Sequence, residues 1–436
     1  MNVSRRHFLQ MSAAAAVVGS RVPSAWGAAT TPPDRAPRAY FGLHSFIEKN
    51  PKAVFIRRTN VQDKMDAPAK LREGLALARQ IFVPMDRPGI PISHRLILKP
   101  NATGVYDRRR KPEENWGVGT DPQFYEGMVT GLQEIGLKKF HFIESTGYDT
   151  WNVRGFNDIN ERLGVEWNES TRRPQHLRDG YETNWAKVPD PVVFSRIPHY
   201  APVGEPDTWI LDIAKWKAHS MCLTQSVKNV QGLVAHPFTN FCAGWAGVLK
   251  REQIVADDVH PRVEQTVNSF FDRHRKMQYV RYDAVGSHRG QSVITPIAQE
   301  IWAHKTCDNL STLKIGLAMI EGIYGRDGDG FNLGQDYLTN MVMFGKDPFR
   351  VDVIGLYLGG HEPGNVHLYR IAKERGLTDT FNPWEVPVYE WTDNGPVQRK
   401  LTDFKRTPLR TIYLARENEP NMHLVNDPFD YDRNKV

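Results

Sequence analysis

Short apolar runs and amphipathic stretches alternate along the first third of this chain. The short runs predict strands, whereas apolar residues spaced three and four apart predict helices. Asp66 and Asp121 are typical helix N-caps, and each is followed within two residues by a proline that favours the first turn. The predicted strands are 53–56, 95–98 and 139–143, and the predicted helices are 66–82 and 121–135. This alternation predicts an α/β fold, with a mostly parallel sheet flanked by helices.

The pattern changes in the middle of the chain and then returns. Residues 151–208 are rich in Trp, Asn, Arg and Pro, and their prolines predict a long irregular insertion or lid. We therefore predict one α/β domain over 39–380, with this insertion inside it, and an extended C-terminal tail over 381–436. The elements predicted after the insertion are strands at 209–211 and 313–319 and helices at 263–280 and 366–375.

The N-terminus has the order of an export signal. Arg5 and Arg6 precede Phe8-Leu9 and a short apolar stretch at 13–18, which is typical of the twin-arginine type. We predict a twin-arginine signal peptide over 1–29, read by the twin-arginine export machinery, and a flexible leader over 30–38. The protein would then be periplasmic or otherwise exported. The alternative is a disordered basic N-terminus with a chance arginine pair.

Length and charge narrow the classes of partner. The apolar stretch of the signal is shorter than the about 20 residues that a membrane span needs, so we expect no permanent span. The formal net charge is +6, and the predicted signal holds three arginines and no acidic residue, which leaves +3 without it. Because no basic stripe with interleaved aromatics is present, we expect no nucleic-acid partner, whereas an anionic small molecule fits.

The cysteines argue against an iron–sulfur cluster. Cys222, Cys242 and Cys307 form no closely spaced pair of the kind that holds iron and sulfur. In an oxidising compartment two of them could form a disulfide, but the sequence does not decide which. Three buried thiols are the alternative.

Polar residues follow two of the predicted strands, where ligands of open α/β sheets bind. The first group follows the strand at 95–98, and the second continues the run that begins at 209. A surface loop is the alternative for the first group, and a solvated basic edge strand is the alternative for the second. Neighbouring ammonium groups would hold the imidazole of the second group neutral, ready to accept a proton. The two groups contain Lys99 and Asn101, and then Lys217, His219, Lys228 and Asn229.

Carboxylates supply a second kind of candidate. Glu321 follows an apolar run and precedes a Gly-rich acidic loop, while Asp347 and Asp352 come later in the chain. All three are candidate ligands of a divalent metal, and Glu321 and Asp352 are candidate acid–base groups with His219. The alternatives are an N-cap for Asp347, before Pro348, and an internal ion pair for Asp352.

Read in order, these pieces resemble the DUF362 family, a group named for its unknown function. The matching stretches are 98–101, 217–232, 318–322, 340–352 and 372–377. The resemblance implies an α/β fold over roughly residues 50–380, and it implies no particular reaction. Many members carry a ferredoxin-like cysteine segment, which this chain lacks. No GxSxG, P-loop, HExxH or GxGxxG motif is present either, which argues against the common hydrolase, nucleotide-binding and zinc-protease mechanisms.

Three functions follow as hypotheses. The one we favour is an exported enzyme that acts on an anionic small molecule, with a divalent metal as a candidate cofactor. The second is a binding protein that holds such an anion without turnover, and the third is a structural protein that interacts through the Trp-rich insertion. In the enzyme, the substrate-binding residues would be Lys99, Asn101, Lys217, Lys228 and Asn229, the catalytic residues His219, Glu321 and Asp352, and the metal ligands Glu321, Asp347 and Asp352.

Overall fold

A computed structural model describes the larger part of the chain. The described residues are 39–86, 89–103, 116–145, 152–167, 182–219, 222–235, 238, 259–274, 279–283, 296–328, 334–409 and 411–416. The predicted signal peptide (1–29) and leader (30–38), Cys242, and residues 417–436 of the predicted tail lie outside the described residues.

The described ranges contain both α-helices and strands. The α-helices are α1 (Ser45–Lys49), α2 (Ala67–Ile81), α3 (Pro122–Glu134), α4 (Phe156–Leu163), α5 (Ser226–Asn229), α6 (Arg262–His274), α7 (Pro296–Leu310), α8 (Pro348–Leu358) and α9 (His367–Glu374). The strands are β1 (Tyr40–Leu43), β2 (Val54–Arg58), β3 (Phe82–Met85), β4 (Ile90–Pro91), β5 (Arg95–Pro100), β6 (Phe140–Phe142), β7 (Glu166–Trp167), β8 (Thr183–Lys187), β9 (Arg196–Tyr200), β10 (Thr208–His219), β11 (Cys222–Thr224), β12 (Tyr279–Asp283), β13 (Ile315–Arg326), β14 (Asp336–Gly345), β15 (Val388–Thr392), β16 (Gly395–Gln398) and β17 (Ile412–Arg416).

One large mixed sheet organises the fold. Its strand order is β16-β15-β2-β14-β13-β10-β5-β6-β7, and β11 pairs with β10. Strands β13, β10, β5, β6 and β7 run parallel to one another, whereas β14 is antiparallel to both β13 and β2. The predicted α/β fold with a mostly parallel sheet flanked by helices is confirmed.

Side chains of the sheet alternate between two apolar cores, as the pleat of a strand requires. Along β10, Ala214 and Trp216 face the core that α5, α7, α8 and α9 build. Leu211 and Ile213 face the core that α2, α3 and α4 build. The central strands are therefore covered on both faces, as parallel sheets usually are.

Helix starts follow the sequence signals closely. The Asp66 carboxylate accepts a hydrogen bond from Ala69 N at 3.0 Å, and Asp121 accepts from Gln123 N and Phe124 N, each at 3.0 Å. These bonds satisfy amide groups that the first turn of a helix leaves without a partner. The helix predicted over 263–280 is wrong at its end, since α6 stops at His274 and β12 follows. That strand forms by pairing with β17, far along the chain, which local periodicity does not report.

The predicted insertion and tail both contribute to sheets. Within 151–208, β7 adds an edge strand to the large sheet and β8 pairs with β9 in a separate hairpin. The predicted tail supplies β15, which pairs parallel to β2, and β16 beside it. None of the described helices combines the length and apolar composition needed to cross a membrane. Cys222 and Cys307 are buried free thiols.

Candidate functional site

The site lies where β5 and β10 end. The two strands run parallel, and the end of β5 at Pro100 lies beside Ile213, so β10 continues past it to His219. Lys215 and Lys217 are completely or almost completely buried, at 0% and 1% exposure. The alternative of a solvated basic edge strand is wrong, because β10 is in the middle of the sheet.

Three of the predicted binding residues meet at the end of β5. The Lys99 ammonium lies 2.8 Å from Glu144 Oε2 and 3.2 Å from Asn229 Oδ1. Asn101 Nδ2 donates to the same Asn229 oxygen at 2.9 Å. Asn229 Nδ2 donates to Lys99 O at 2.9 Å, so the two chain segments are tied in both directions. The Lys99–Glu144 pair neutralises itself, and it fixes Asn101 and Asn229 at the carboxyl end of the sheet.

Close packing protects this ion pair. A Cβ atom added to Gly232 would lie 2.3 Å from Glu144 Oε1 and 2.5 Å from Lys99 Cε. Non-bonded atoms do not approach so closely, so a side chain at residue 232 would require the ion pair to move. Gly232 is part of the stretch on which the family resemblance rests.

Two buried carboxyl groups hold the short helix α5, which carries Lys228 and Asn229. Asp212 accepts from Asn229 Nδ2 at 2.6 Å and from the Ser226 hydroxyl. Asp352 accepts from the amides of Ser226 and Val227 at 2.8 and 3.0 Å. Burial raises the pKa of Asp212 to about 7 and that of Asp352 well above its ordinary value.

Glu321 belongs to a second charged network, on the opposite face of the sheet. Its Oε2 accepts from the Lys215 ammonium at 2.7 Å and from Asp121 N at 3.0 Å, while its Oε1 accepts from Ile323 N at 2.9 Å. Asp121 in turn pairs with Lys70 at 2.6 Å, and Tyr324 donates its hydroxyl to it at 2.8 Å. This network joins α2, α3, β10 and β13 in the interior.

Asp347 lies at the other end of the sheet. It follows β14 just after Gly345, which pairs with Ala318 near the start of β13. Its Oδ1 accepts from Phe349 N and Arg350 N at 3.0 and 3.2 Å, as an N-cap of α8. The structure thus places Glu321, Asp347 and Asp352 in three different surroundings.

Cationic side chains gather beyond the end of β5. The pKa of Lys217 lies well below its ordinary value because of burial and then of repulsion by Lys228, Arg154 and Arg326. The pKa of His219 is also well below its ordinary value, through burial and then through Lys228 and Lys217. The imidazole is therefore neutral at pH 7, beside groups that favour an anion.

A glycine-containing segment, Trp116 to Thr120, runs through this cationic group. Val118 O accepts a hydrogen bond from the Lys217 ammonium. The Thr120 hydroxyl donates to Ile213 O at 2.6 Å and accepts from Asn101 N at 2.8 Å. A Cβ added to Gly119 would meet Asn101 O at 2.6 Å and Arg154 Cζ at 3.0 Å. Arg154 and Asn101 therefore flank the same point of the segment.

The hairpin that carries His219 has an unusual backbone. Cys222, the residue paired with His219, has a φ of 84°, which is rare for a residue other than glycine. The Thr411 hydroxyl donates to His219 O at 2.9 Å or to Cys222 O at 2.7 Å. Strained backbone of this kind concentrates at functional sites.

Sequence reasoning missed three residues of this region. Glu144 follows β6, so the strand-end rule that selected Lys99 could have found it. Asp212 is a single carboxylate within an apolar strand, which is itself a signal of a buried polar network. Arg154 lies in the segment predicted to be an insertion, and no local pattern relates it to β10.

No group of three or more His, Cys, Asp or Glu side chains lies in a metal-binding arrangement among the described residues. The divalent metal stays a prediction from the sequence.

Comparison with protein families gives one match. A family model described as a domain of unknown function, DUF362, matches residues 96–357, more than half of the chain. The matched segment begins in β5 and ends in α8, so it contains the candidate site residues from Lys99 to Asp352. No curated protein and no solved structure matches the chain.

Proposed function

Because the chain belongs to the DUF362 family, whose function is unknown, we propose its function from the site itself: it is an exported enzyme that binds a small anionic molecule where β5 and β10 end. One observation carries the proposal. Lys217 and Lys228 both act electrostatically on His219, and Lys228 and Arg154 do the same on Lys217. Like charges held together in a desolvated place repel one another, and a bound anion converts that repulsion into attraction.

Lys228 is the first contact that we propose for the anion. It is half-buried on α5, and no described residue forms a hydrogen bond or ion pair with its ammonium. Lys217, on the central strand, and Arg154, beside Gly119, add positive charge to the same place. The site is at the carboxyl end of parallel strands, where ligands of α/β sheets bind.

His219 is the group that we propose for proton transfer. A neutral imidazole accepts a proton, and the lowered pKa of His219 keeps it in that form. After the proton has moved from the bound molecule to the imidazole, the neighbouring ammonium groups stabilise the negative charge left on that molecule. Glu321 and Asp352, which the sequence also suggested, accept backbone hydrogen bonds. We therefore give them positioning roles.

The second candidate, a binding protein without turnover, has its own support. Glu321 and Asp352 are engaged in the interior, so His219 is the predicted catalytic group that lies beside Lys217 and Lys228. An anion site with a single titratable base also suits reversible binding.

A pair of lysine variants tests the binding site. Anion affinity is measured by calorimetry with inorganic phosphate and with succinate, for the wild type, Lys228→Gln and Lys346→Gln. Lys346 is a matched control, since it pairs with Glu48 next to Asp347, at the other end of the sheet. We expect Lys228→Gln to lose at least about tenfold in affinity, or about 1.4 kcal/mol, and Lys346→Gln to lose none. Equal effects of the two variants would mean that only overall charge matters.

A histidine variant separates an enzyme from a binding protein. Bound ligands are incubated in D₂O, and deuterium incorporation and new products are followed by mass spectrometry. An enzyme exchanges or converts its ligand, and His219→Asn keeps affinity while it loses this activity. A wild-type protein that binds tightly but leaves every bound ligand unchanged is the non-catalytic alternative.

Export and metal content need separate tests. Replacing Arg5 and Arg6 together by lysine should keep the full chain in the cytoplasm, as measured by cell fractionation, if the twin-arginine signal is used. Elemental analysis of protein exported by its native route tests the predicted divalent metal, because production in the cytoplasm could leave the metal out.

A further inference from the structure

An amide oxygen without a donor lies next to the cationic group. Asn101 is 6% exposed, and its Oδ1 has no hydrogen-bond partner among the described residues. Buried acceptors of this kind are uncommon, since an unmade hydrogen bond in the interior is costly. The orientation of the amide is fixed, because Asn101 Nδ2 faces Asn229 Oδ1, which can only accept. The orientation of the Asn229 amide is fixed in the same way, because its Nδ2 donates to Lys99 O.

A hydroxyl without a partner accompanies it. Thr224 is fully buried, and its Oγ1 also lacks a hydrogen-bond partner within the described part of the chain. Thr224 pairs with Lys217 in the β10–β11 ladder, so it is at the level of the cationic group. Two buried polar atoms and the ammonium of Lys228 therefore lack a hydrogen-bond partner among the described residues of this region.

Charge and hydrogen bonding make different demands on a ligand. Lys228 and Arg154 both repel the charged form of Lys217, while Glu144, which attracts it, is already paired with Lys99 at 2.8 Å. A ligand with two negative charges attracts Lys228 and the charged form of Lys217 more strongly than a ligand with one. The Asn101 oxygen carries partial negative charge, so it repels an oxyanion and needs a hydrogen from the ligand.

The two demands also lie at adjacent points. Asn101 contacts Asn229, which follows Lys228 directly in the chain. The backbone oxygen of Asn101 and the guanidinium of Arg154 both lie next to Gly119, where a side chain would meet them. The Asn101 side chain is therefore linked to α5, which carries Lys228, and its backbone lies across Gly119 from Arg154.

We propose that the site takes a small dianion that carries a hydroxyl or amine next to its charged groups, with the charge on Lys228, Lys217 and Arg154 and the hydrogen on Asn101 Oδ1. This inference rests on the proposed function and names the class of its ligand. A phosphate ester and a dicarboxylate share the required chemistry, and the test separates them.

Matched ligand pairs test the inference. Affinities are measured by calorimetry for glycerol 3-phosphate against propyl phosphate and for malate against succinate, using the full mature protein. Each pair differs by its hydroxyls and keeps the same charge. We expect the hydroxylated member of at least one pair to bind about tenfold more tightly, and the pair that shows this identifies the source of the dianion. Acetate and lactate, with one charge, should bind at least tenfold more weakly than that ligand.

Two variants assign the contacts. Asn101→Ala should remove the preference for the hydroxylated ligand and leave the affinity for its partner nearly unchanged. Lys228→Gln should weaken both members by the same factor and keep the preference. Circular dichroism melting checks that each variant folds, and the wild-type ratios decide the matter even if Asn101→Ala does not fold.

The outcomes separate this inference from the proposed function. If dianions bind and Lys228→Gln weakens them, but hydroxylated and plain members bind equally, the anion site stands and the inference is refuted. If neither pair binds, or if Lys228→Gln leaves the affinity of a bound ligand unchanged, the proposed anion site fails as well. A preference that survives Asn101→Ala would place the hydrogen bond elsewhere and would also overturn the inference.

Discussion

The buried carboxyl group of Asp212 offers a quantitative test of the network beneath the site. Asp212 is fully buried, accepts from Asn229 Nδ2 at 2.6 Å and contacts the Ser226 hydroxyl. Burial raises its pKa to about 7, although Ser226, Lys99 and Asn229 favour the charged form. Asp212→Asn keeps the shape of the protonated acid and can donate to the Ser226 oxygen. The substitution therefore removes the titration and disturbs little else.

The expected magnitude follows from the two protonation states. In the unfolded chain the carboxyl has its ordinary pKa of 3.8, so between that pH and about 7 the folded protein binds the extra proton. Stability supplied by a raised carboxyl pKa is present at low pH and is lost as the pH rises towards 7. A difference of about three pKa units corresponds to about 4 kcal/mol over the whole range, and to roughly 3 kcal/mol between pH 5 and pH 8.

The assay compares urea unfolding of wild type and Asp212→Asn at pH 5, 6, 7 and 8. The comparison cancels the other titrating groups, which both proteins share. We expect the free energy of unfolding of the variant, relative to wild type, to rise by roughly 3 kcal/mol across this range. Asp379→Asn is the control, because Lys52 and then Arg350 lower the pKa of Asp379 to about 2, and its difference from wild type should stay constant.

A flat difference for Asp212→Asn would refute the reasoning. It would mean that Asp212 is ionised in the folded protein throughout this range and that its hydrogen bonds outweigh the cost of burial. A difference that falls with pH would have the opposite sign and would exclude the buried neutral acid altogether.

Three other predictions address packing, pairing and binding. Gly232→Ala should lower the free energy of unfolding by about 1–3 kcal/mol, because the added Cβ would lie 2.3 Å from Glu144 Oε1; a loss below that range would show that the ion pair can move aside. Lys215→Met should cost about 3–5 kcal/mol in urea unfolding by leaving Glu321 buried without its cation, and adding Glu321→Gln should recover part of the loss. Binding of a dianion should take up protons, because burial and then repulsion by neighbouring cations lower the pKa of Lys217 in the free protein. Calorimetry in buffers of different ionisation enthalpy measures this, and a buffer-independent heat would contradict it.

Local signals in the sequence predicted much of the fold. The caps at Asp66, Asp121 and Asp347 are bonds between a residue and the amides two or three positions later, so a short window contains the whole interaction. The strands at the centre were predicted too short. β10 runs from Thr208 to His219 and β13 from Ile315 to Arg326, with charged residues in their second halves.

Those charged residues explain the error. A lysine in an apolar run usually marks the end of a buried strand, but Lys215 stays in the interior because Glu321, 106 residues away, lies 2.7 Å from its ammonium. The same holds for Asp212, whose partners come from α5. Pairings of this kind depend on the register of distant strands, which a single sequence does not contain.

The sequence predicted only part of the candidate site, because some of its contacts also join residues that are distant in the chain. Lys99 and Asn101 lie at the site because strand ends collect at one edge of a parallel sheet, which a sequence can predict, whereas Asn229 reaches them from α5. Glu144, which follows β6, obeys the same rule, whereas Glu321 and Asp352 lie inside β13 and α8. Glu321 and Asp352 look equally suited to chemistry in the sequence, and the structure surrounds each with donors from the interior.

Lys228 differs from the other charged groups around the ends of β5 and β10. Lys99 has Glu144 and Lys215 has Glu321, each pair within 2.8 Å, whereas no described residue offers a carboxylate to Lys228. Instead it lowers the pKa of both Lys217 and His219, so its presence destabilises the positive charge around it. A chain that pairs its interior charges so consistently would not keep this repulsion for stability, since a neutral residue on α5 would remove it. The anion binding that we propose would give the repulsion a use, because the same charges would then act together on one ligand.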